Sequence, residues 1–212
     1  MTKVKICGIT NARDARQAVE SGADALGFNF YPGSPRYVTA SQAVELVADV
    51  PANVLRIGVF VNHEPDGIAK IAEILGLDAV QLHGDETPAS VSQLRKLVHP
   101  QIEIMKALRV GEDFRFDASD DYKVDAFLLD SYSQNGFGGT GETFAWETAR
   151  RFCESTSVPV YLAGGLSSEN VAGAIDLVRP FAVDACSLLE EAPGVKNHTE
   201  VERFIRAVKD TK

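Results

Sequence analysis

Residues 4–30 read VKICGITNARDARQAVESGADALGFNF, and this stretch decides the fold. A short β-branched run, VKIC, ends in a Gly punctuator. A segment of helical period follows, with Asn11 placed to cap its first turn and Gly22 to end it in the left-handed conformation. A second apolar run, ALGFNF, then begins at Ala25. Strand, helix and strand in this order form a parallel β/α unit. The unit recurs. Further strands are predicted from Val54 (VLRIGVFV), Asp78 (DAVQLH), Ile102 (IEIMKAL), Asp125 (DAFLLD), Val158 (VPVYLA) and Phe181 (FAVDAC), which makes eight. Helices are predicted to begin near Ser41, Pro65, Pro88, Trp146, Ser168 and Asn197, with the weakest helical pattern between strands five and six.

Eight alternations in 212 residues predict an α/β chain folded as a single-domain (β/α)8 TIM barrel spanning 1–212. A doubly wound open sheet is the rival. It has fewer strands and one ligand crevice, whereas here unusual polar residues close strands one, two, four, six, seven and eight, as a barrel mouth requires. The Gly- and Ser-rich stretch from Ser131 to Glu142 is flanked by similar apolar-periodic segments, so composition marks no domain boundary.

Composition narrows the function. A formal net charge of −9 and no basic stripe exclude nucleic acid as the expected partner, and no apolar stretch approaches the roughly 20 residues that span a bilayer. With no signal-peptide core at the N-terminus, the expectation is a cytoplasmic protein whose partner is a small molecule. Three cysteines, Cys7, Cys153 and Cys186, without CxxC or His-rich spacing, predict free thiols and neither zinc site nor disulfide framework. Monomer and homodimer stay open.

The strand ends supply the candidate chemistry. Cys7 has a structural reading as a small buried hydrophobe. Beside Gly8 at a strand end, however, its sulfur is reachable, and as a thiolate it serves as nucleophile or general base once a positive charge stabilises the anion. Lys5, two positions back, alternates to the same face. Asp130 closes an apolar strand and is either a loop cap or a catalytic carboxyl. Strand four delivers Gln81 and His83, and His83 titrates, donates to an anion or satisfies a carbonyl. Arg36 in SPRYV is either a solvated loop charge or a fork for a carboxylate.

Gly136, Gly138 and Gly141 formally match GxGxxG, but about five residues separate them from the strand, so a mobile lid is expected rather than a dinucleotide site. In LAGGLSSEN, Gly164 and Gly165 let backbone N–H groups approach an anion in front of the helix expected near Ser168. The DACS segment, Asp184 to Ser187, closes strand eight, and the following CSLLEEAPG can supply a short helix with the Ser187 hydroxyl beside it. These loops predict a phosphate site. Cys153, on a helix beside Arg151 and Phe152, is taken as structural.

KICGIT, GFNFYPGSPRYV, GVFVN, VQLHGDE, LLDSYSQNGFGGTGETFAW and LAGGLSSENV, in this order, give a chain that resembles the phosphoribosylanthranilate isomerase family of tryptophan biosynthesis over its whole length. The resemblance implies a cofactor-free Amadori rearrangement of N-(5-phosphoribosyl)anthranilate to 1-(2-carboxyphenylamino)-1-deoxyribulose 5-phosphate. It further implies Asp130 as general acid and Cys7 as general base, with Lys5, Arg36, Gln81 and His83 on the substrate side. Gly164, Gly165, Asp184 and Ser187 would lie at the phosphate. One segment departs: where the family reads close to DVSSGVE, this chain has Asp184 to Glu190 as DACSLLE, so that a glycine is replaced by Leu188, expected to crowd the anion. Asn197, where the family has Asp, caps a helix equally well.

Two alternatives remain at this level. A noncatalytic phosphate-binding barrel or diverged paralogue is raised only by Leu188. The histidine-pathway aldose-ketose isomerase carries an aspartate where Cys7 stands and needs two phosphate cradles, and the loops NHEPDG and GDETP lack paired glycines.

Overall fold

The computed structural model describes residues 1–111, 114–119, 121–131 and 146–211. Its strands are β1 (Lys3–Cys7), β2 (Ala25–Asn29), β3 (Leu55–Phe60), β4 (Ala79–Leu82), β5 (Glu103–Val110), β6 (Ala126–Ser131), β7 (Val160–Leu162) and β8 (Ala182–Ala185). They pair in parallel, each with the next, and β8 closes on β1 with Lys5 opposite Asp184 and Ile6 opposite Ala185. The TIM barrel expected from the alternation is the fold.

The helices are α1 (Ala12–Ser21), α2 (Ala40–Ala48), α3 (Pro65–Leu75), α4 (Pro88–Leu97), α5 (Trp146–Ser155), α6 (Val171–Val178) and α7 (His198–Asp210). Asn11 accepts from the Asp14 N–H and Gly22 stands at φ 100°, as the capping pattern predicts. Asn197 caps α7 by accepting from Glu200. Two readings need correction. The helix expected near Ser168 begins at Val171, because Asn170 folds back, accepting from Ser167 N–H and donating to the Gly165 carbonyl. Between β5 and β6 the described residues hold only a 3-10 turn, Phe116–Ser119.

Two apolar layers hold the barrel. Outside the sheet, side chains such as Ile6, Leu26, Phe28, Leu82, Phe152 and Phe204 pack strands against helices. Inside, Ala25, Ala79, Ala107, Ala126 and Ala182 alternate with Ile57, Met105, Leu128 and Tyr161, small against large, which fills the narrow interior. At the opposite end from the strand C-termini a device repeats. Asp24, Asp78 and Asp125, each just before an even strand, accept the backbone N–H of Val4, Arg56 and Ile104, the second residue of the preceding odd strand. Each carboxylate also meets a cation, Lys3, Arg56 or Arg95, so the barrel floor is stitched by charge-assisted bonds.

After β8 the chain makes a 3-10 turn, Ser187–Leu189, and then a hairpin of β9 (Glu190–Ala192) and β10 (Val195–Lys196), with Gly194 at φ 84°. Among the described residues no helix is long and apolar enough to cross a membrane.

Candidate active site

Alternation along the strands builds the site. Period two turns Lys5 and Cys7, Gln81 and His83, Ala126, Leu128 and Asp130, and Asp184 and Cys186 toward the barrel axis, and in each set the residue nearest the strand's C-terminus reaches the mouth. There a cavity of about 480 Å³ is lined by Cys7, Arg36, His83, Asp130, Gly165 and Ser187 among others. That volume lies in the usual range for a small-molecule site.

Cys7 is half-buried at the end of β1. Its thiol is pushed well below the ordinary range. The neighbouring Cys186 thiol lowers it most, and the positive charges of Lys5 and Lys196 add to this, together outweighing burial. Lys5 is wholly buried, with Nζ 2.9 Å from Asp184 Oδ2. Burial opposes its charge, but Asp184 and Cys7 overcome that, so Lys5 stays protonated beneath the sulfur. Burial lifts the Asp184 carboxyl to about 7 despite Lys5, and its Oδ1 is buried without a partner among the described residues.

One position departs from expectation: Lys5 has no accessible surface and lies beneath the sulfur, off the cavity wall, so it acts on a ligand only through Cys7. Asp184 lines the cavity with Ser187, faces the axis and holds Lys5.

Across the mouth Asp130 Oδ2 lies 3.1 Å from His83 Nε2, and His83 Nδ1 lies 2.6 Å from Gln81 Nε2. With the Gln81 amide donating to Nδ1, the ring proton resides on Nε2 and points at Asp130. Gln81 is buried, orients His83 and lines the cavity beside it. The loop that carries His83 is tied down by Lys106, whose Nζ reaches the Gly84 carbonyl at 2.9 Å and Glu86 at 3.0 Å.

Arg36 enters the cavity wall from the loop after β2. Its Nε and Nη2 grip Glu190 at 2.7 to 3.1 Å, leaving Nη1 without a hydrogen bond among the described residues. Glu190 also receives Lys196 at 2.9 Å. Neither Glu190 nor Lys196 stood out in the sequence, because closure of the barrel and the β9–β10 hairpin bring them to the mouth.

On the third side, Gly164 (φ 85°) and Gly165 (φ 64°) follow β7 in successive left-handed conformations. Among the described residues no protein acceptor takes the N–H of Gly164, Gly165 or Ser187, so three backbone donors border the cavity. Leu188 does not crowd them. Its side chain is 45% exposed and does not line the cavity, and the only non-glycine residues with positive φ among those described are Asn62 and Arg179. Position 188 therefore needs no glycine. Leu188→Gly is expected to leave KM within about twofold of the parent, as exposed substitutions do, in a steady-state assay with the phosphorylated substrate. The segment with Gly136, Gly138 and Gly141 lies outside the described residues.

A barrel mouth with an activated thiol, a carboxyl in contact with a histidine and a cradle of free N–H groups defines a TIM-barrel enzyme that moves protons on a small anionic molecule. The model of the N-(5'-phosphoribosyl)anthranilate (PRA) isomerase family matches residues 4–207, and the chain belongs to that family. It is 46% identical over 209 residues, 99% of this chain and 98% of the other, to the N-(5'-phosphoribosyl)anthranilate isomerase of Geobacter sp. strain M21. A monomeric form of the dimeric isomerase from Thermotoga maritima superposes with a TM-score of 0.86 at 40% identity, covering 99% of both chains. A phosphoribosylanthranilate isomerase in complex with reduced 1-(o-carboxyphenylamino)-1-deoxyribulose 5-phosphate superposes with a TM-score of 0.84 at 38% identity, again covering 99% of both.

Proposed function

We infer that the barrel mouth catalyses the Amadori rearrangement of N-(5'-phosphoribosyl)anthranilate to 1-(2-carboxyphenylamino)-1-deoxyribulose 5-phosphate in tryptophan biosynthesis, an aldose-ketose isomerisation by general acid-base catalysis. The observation that carries the assignment of roles is the pairing, across one cavity, of a thiol held toward its anion with a carboxyl that touches a histidine.

The chemistry is a transfer of protons that needs no redox partner. An acid protonates the ribose ring oxygen, the ring opens, and the anilino nitrogen forms an iminium with C1. A base takes the C2 proton to give an enolamine, which tautomerises to the ketone. Asp130 is the acid in this reading. His83, with its Nε2 proton aimed at the same carboxyl, stands beside it as a second proton holder. Cys7 is the base, and Lys5 beneath it stabilises the anion that a base needs. The two groups have different surroundings: the cations Lys5 and Lys196 act on the sulfur, while His83 stands at the Asp130 carboxyl.

Arg36 offers its remaining Nη1 to the anthranilate carboxylate, with Glu190 fixing the guanidinium plane. The N–H groups of Gly164, Gly165 and Ser187 hold the phosphate. A Cβ at Gly165 would impose strain at φ 64°, where an L-residue is disfavoured. Gly165→Ala is therefore expected to raise KM by about tenfold with a smaller change in kcat, measured by steady-state kinetics. The chain acts as one cytoplasmic barrel domain, and its partner is the phosphorylated substrate.

Product analysis tests the assignment. Conversion at unchanged mass, with the anomeric carbon signal replaced by a ketone carbon in the NMR spectrum, is the expected result. Recovery of unchanged substrate after incubation with folded protein would reject it.

A further inference from the structure

We propose that Glu190 and Lys196 are positioning residues that set the site's selectivity for a substrate bearing an aryl carboxylate: together they hold Arg36 with its Nη1 left for the ligand. The inference rests on the reading of Arg36 as the carboxylate site.

The chain after β8 builds the pair. In the β9–β10 hairpin Lys196 stands opposite Glu190, a cross-strand pair of opposite charge, with a bulge between Val195 and Lys196. The hairpin is fastened at three points. The Thr10 hydroxyl donates to the Gly194 carbonyl, the Lys196 N–H donates to Asp14 Oδ2 at 2.8 Å, and the Asn197 N–H donates to the Leu189 carbonyl at 2.9 Å. Both side chains are carried inward, Lys196 1% and Glu190 4% exposed. Gly8, at φ 75°, admits the third member. A Cβ there would lie 2.6 Å from Arg36 Cδ, so glycine lets the arginine stem pass over the end of β1 to reach the carboxylate.

The contacts decide which edge of the guanidinium is used. Glu190 Oε2 receives Arg36 Nη2 at 2.7 Å, and Oε1 receives Arg36 Nε and Lys196 Nζ at 2.9 Å each. The Cys186 thiol approaches the same Oε1 at 3.8 Å, and Lys196 Nζ is held in turn by the Cys186 carbonyl at 3.3 Å. A carboxylate can grip a guanidinium along its Nε–Nη2 edge or across its two Nη atoms. Lys196 pins Oε1 beside Nε and so fixes the first arrangement. Without it the carboxylate can slide to the second, and Nη1 is then consumed inside the protein. Two cations sharing one carboxylate also leave the triad with one net positive charge, the complement of one incoming carboxylate. Burial works against the Glu190 charge, but Arg36 and Lys196 outweigh it and keep the carboxyl below its ordinary range.

The test compares the full chain with Glu190→Gln, Lys196→Met and Arg36→Met on two substrates, N-(5'-phosphoribosyl)anthranilate and N-(5'-phosphoribosyl)aniline, which lacks only the carboxylate. The quantity read is the ratio of kcat/KM for the first to that for the second. Any effect of Lys196 on the Cys7 sulfur acts on both substrates alike and cancels in the ratio. The ratio should fall at least about tenfold in Glu190→Gln and in Lys196→Met, the scale of a hydrogen bond to a charged group, and no further than in Arg36→Met. A Glu190→Gln, Lys196→Met double variant removes both buried charges at once, so it serves where a single change leaves a charge unpaired and disturbs folding, and its ratio should fall as far. Circular dichroism reports the fold. Ratios equal to the parent's in the folded variants, while Arg36→Met lowers its own, would overturn the proposal, because the pair then only closes the hairpin. A ratio that Arg36→Met leaves unmoved would instead reject Arg36 as the carboxylate site and take the proposal with it.

Discussion

Asp130→Asn is expected to lower kcat for N-(5'-phosphoribosyl)anthranilate by at least about a hundredfold, the lower scale for removal of a general acid, with KM changed far less. The amide keeps the carboxyl's shape and still accepts from His83 Nε2, so the 3.1 Å contact and the cavity wall survive. What is lost is the proton for the ribose ring oxygen. The ring then opens only with help from water or from His83, whose ring proton points toward the same place. His83 thereby sets the residual rate, and an Asp130→Asn, His83→Ala double variant should fall further than either single one. Steady-state kinetics with a thermal melt for each variant checks this, and an Asp130→Asn rate near the parent would remove Asp130 from its role.

Cys7→Ala should cost at least about as much, because among the described residues no other group combines a basic atom with a position at the end of β1. Lys5 is protonated and buried, Asp184 is committed to Lys5, and Cys186 holds its proton. Cys7→Ser separates basicity from shape. It fills nearly the same space, but a hydroxyl is so much weaker an acid that the neighbouring ammonium cannot make it an anion, and the rate should stay close to that of Ala. The pH dependence of the parent follows with a definite sign. A base works deprotonated, and the Cys7 pKa lies well below the ordinary thiol range, so kcat/KM is lost only as pH falls through that lowered value. A limb at the ordinary thiol value would mean that Cys186, Lys5 and Lys196 do not act on the sulfur.

Much of the barrel was legible because its signals are local. Each strand announces itself by a β-branched run, and period two alone places Cys7, His83, Asp130 and Cys186 on the axial face once the fold is known. The helix caps at Asn11, Gly22 and Asn197 could be read residue by residue. The family signature added an assignment of roles that no periodicity contains. What stayed hidden depends on closure. Lys5 and Asp184 are 179 positions apart, and only the seam between β1 and β8 shows that the lysine is buried under the sulfur instead of facing a ligand. Arg36 and Glu190 meet across 154 positions for the same reason. The direction of Leu188 depends on the orientation of one 3-10 turn, which composition cannot supply.

The proposed mechanism gives this mouth Cys7 and Asp130 as the proton-moving pair that isomerises phosphoribosylanthranilate. Steady-state turnover of that substrate by the purified protein, run beside the Cys7→Ala and Asp130→Asn variants, is the decisive measurement. A measurable rate that falls at least about a hundredfold in each variant, while the melting transition stays in place, is expected. A folded parent without turnover, or variants as fast as the parent, would contradict it.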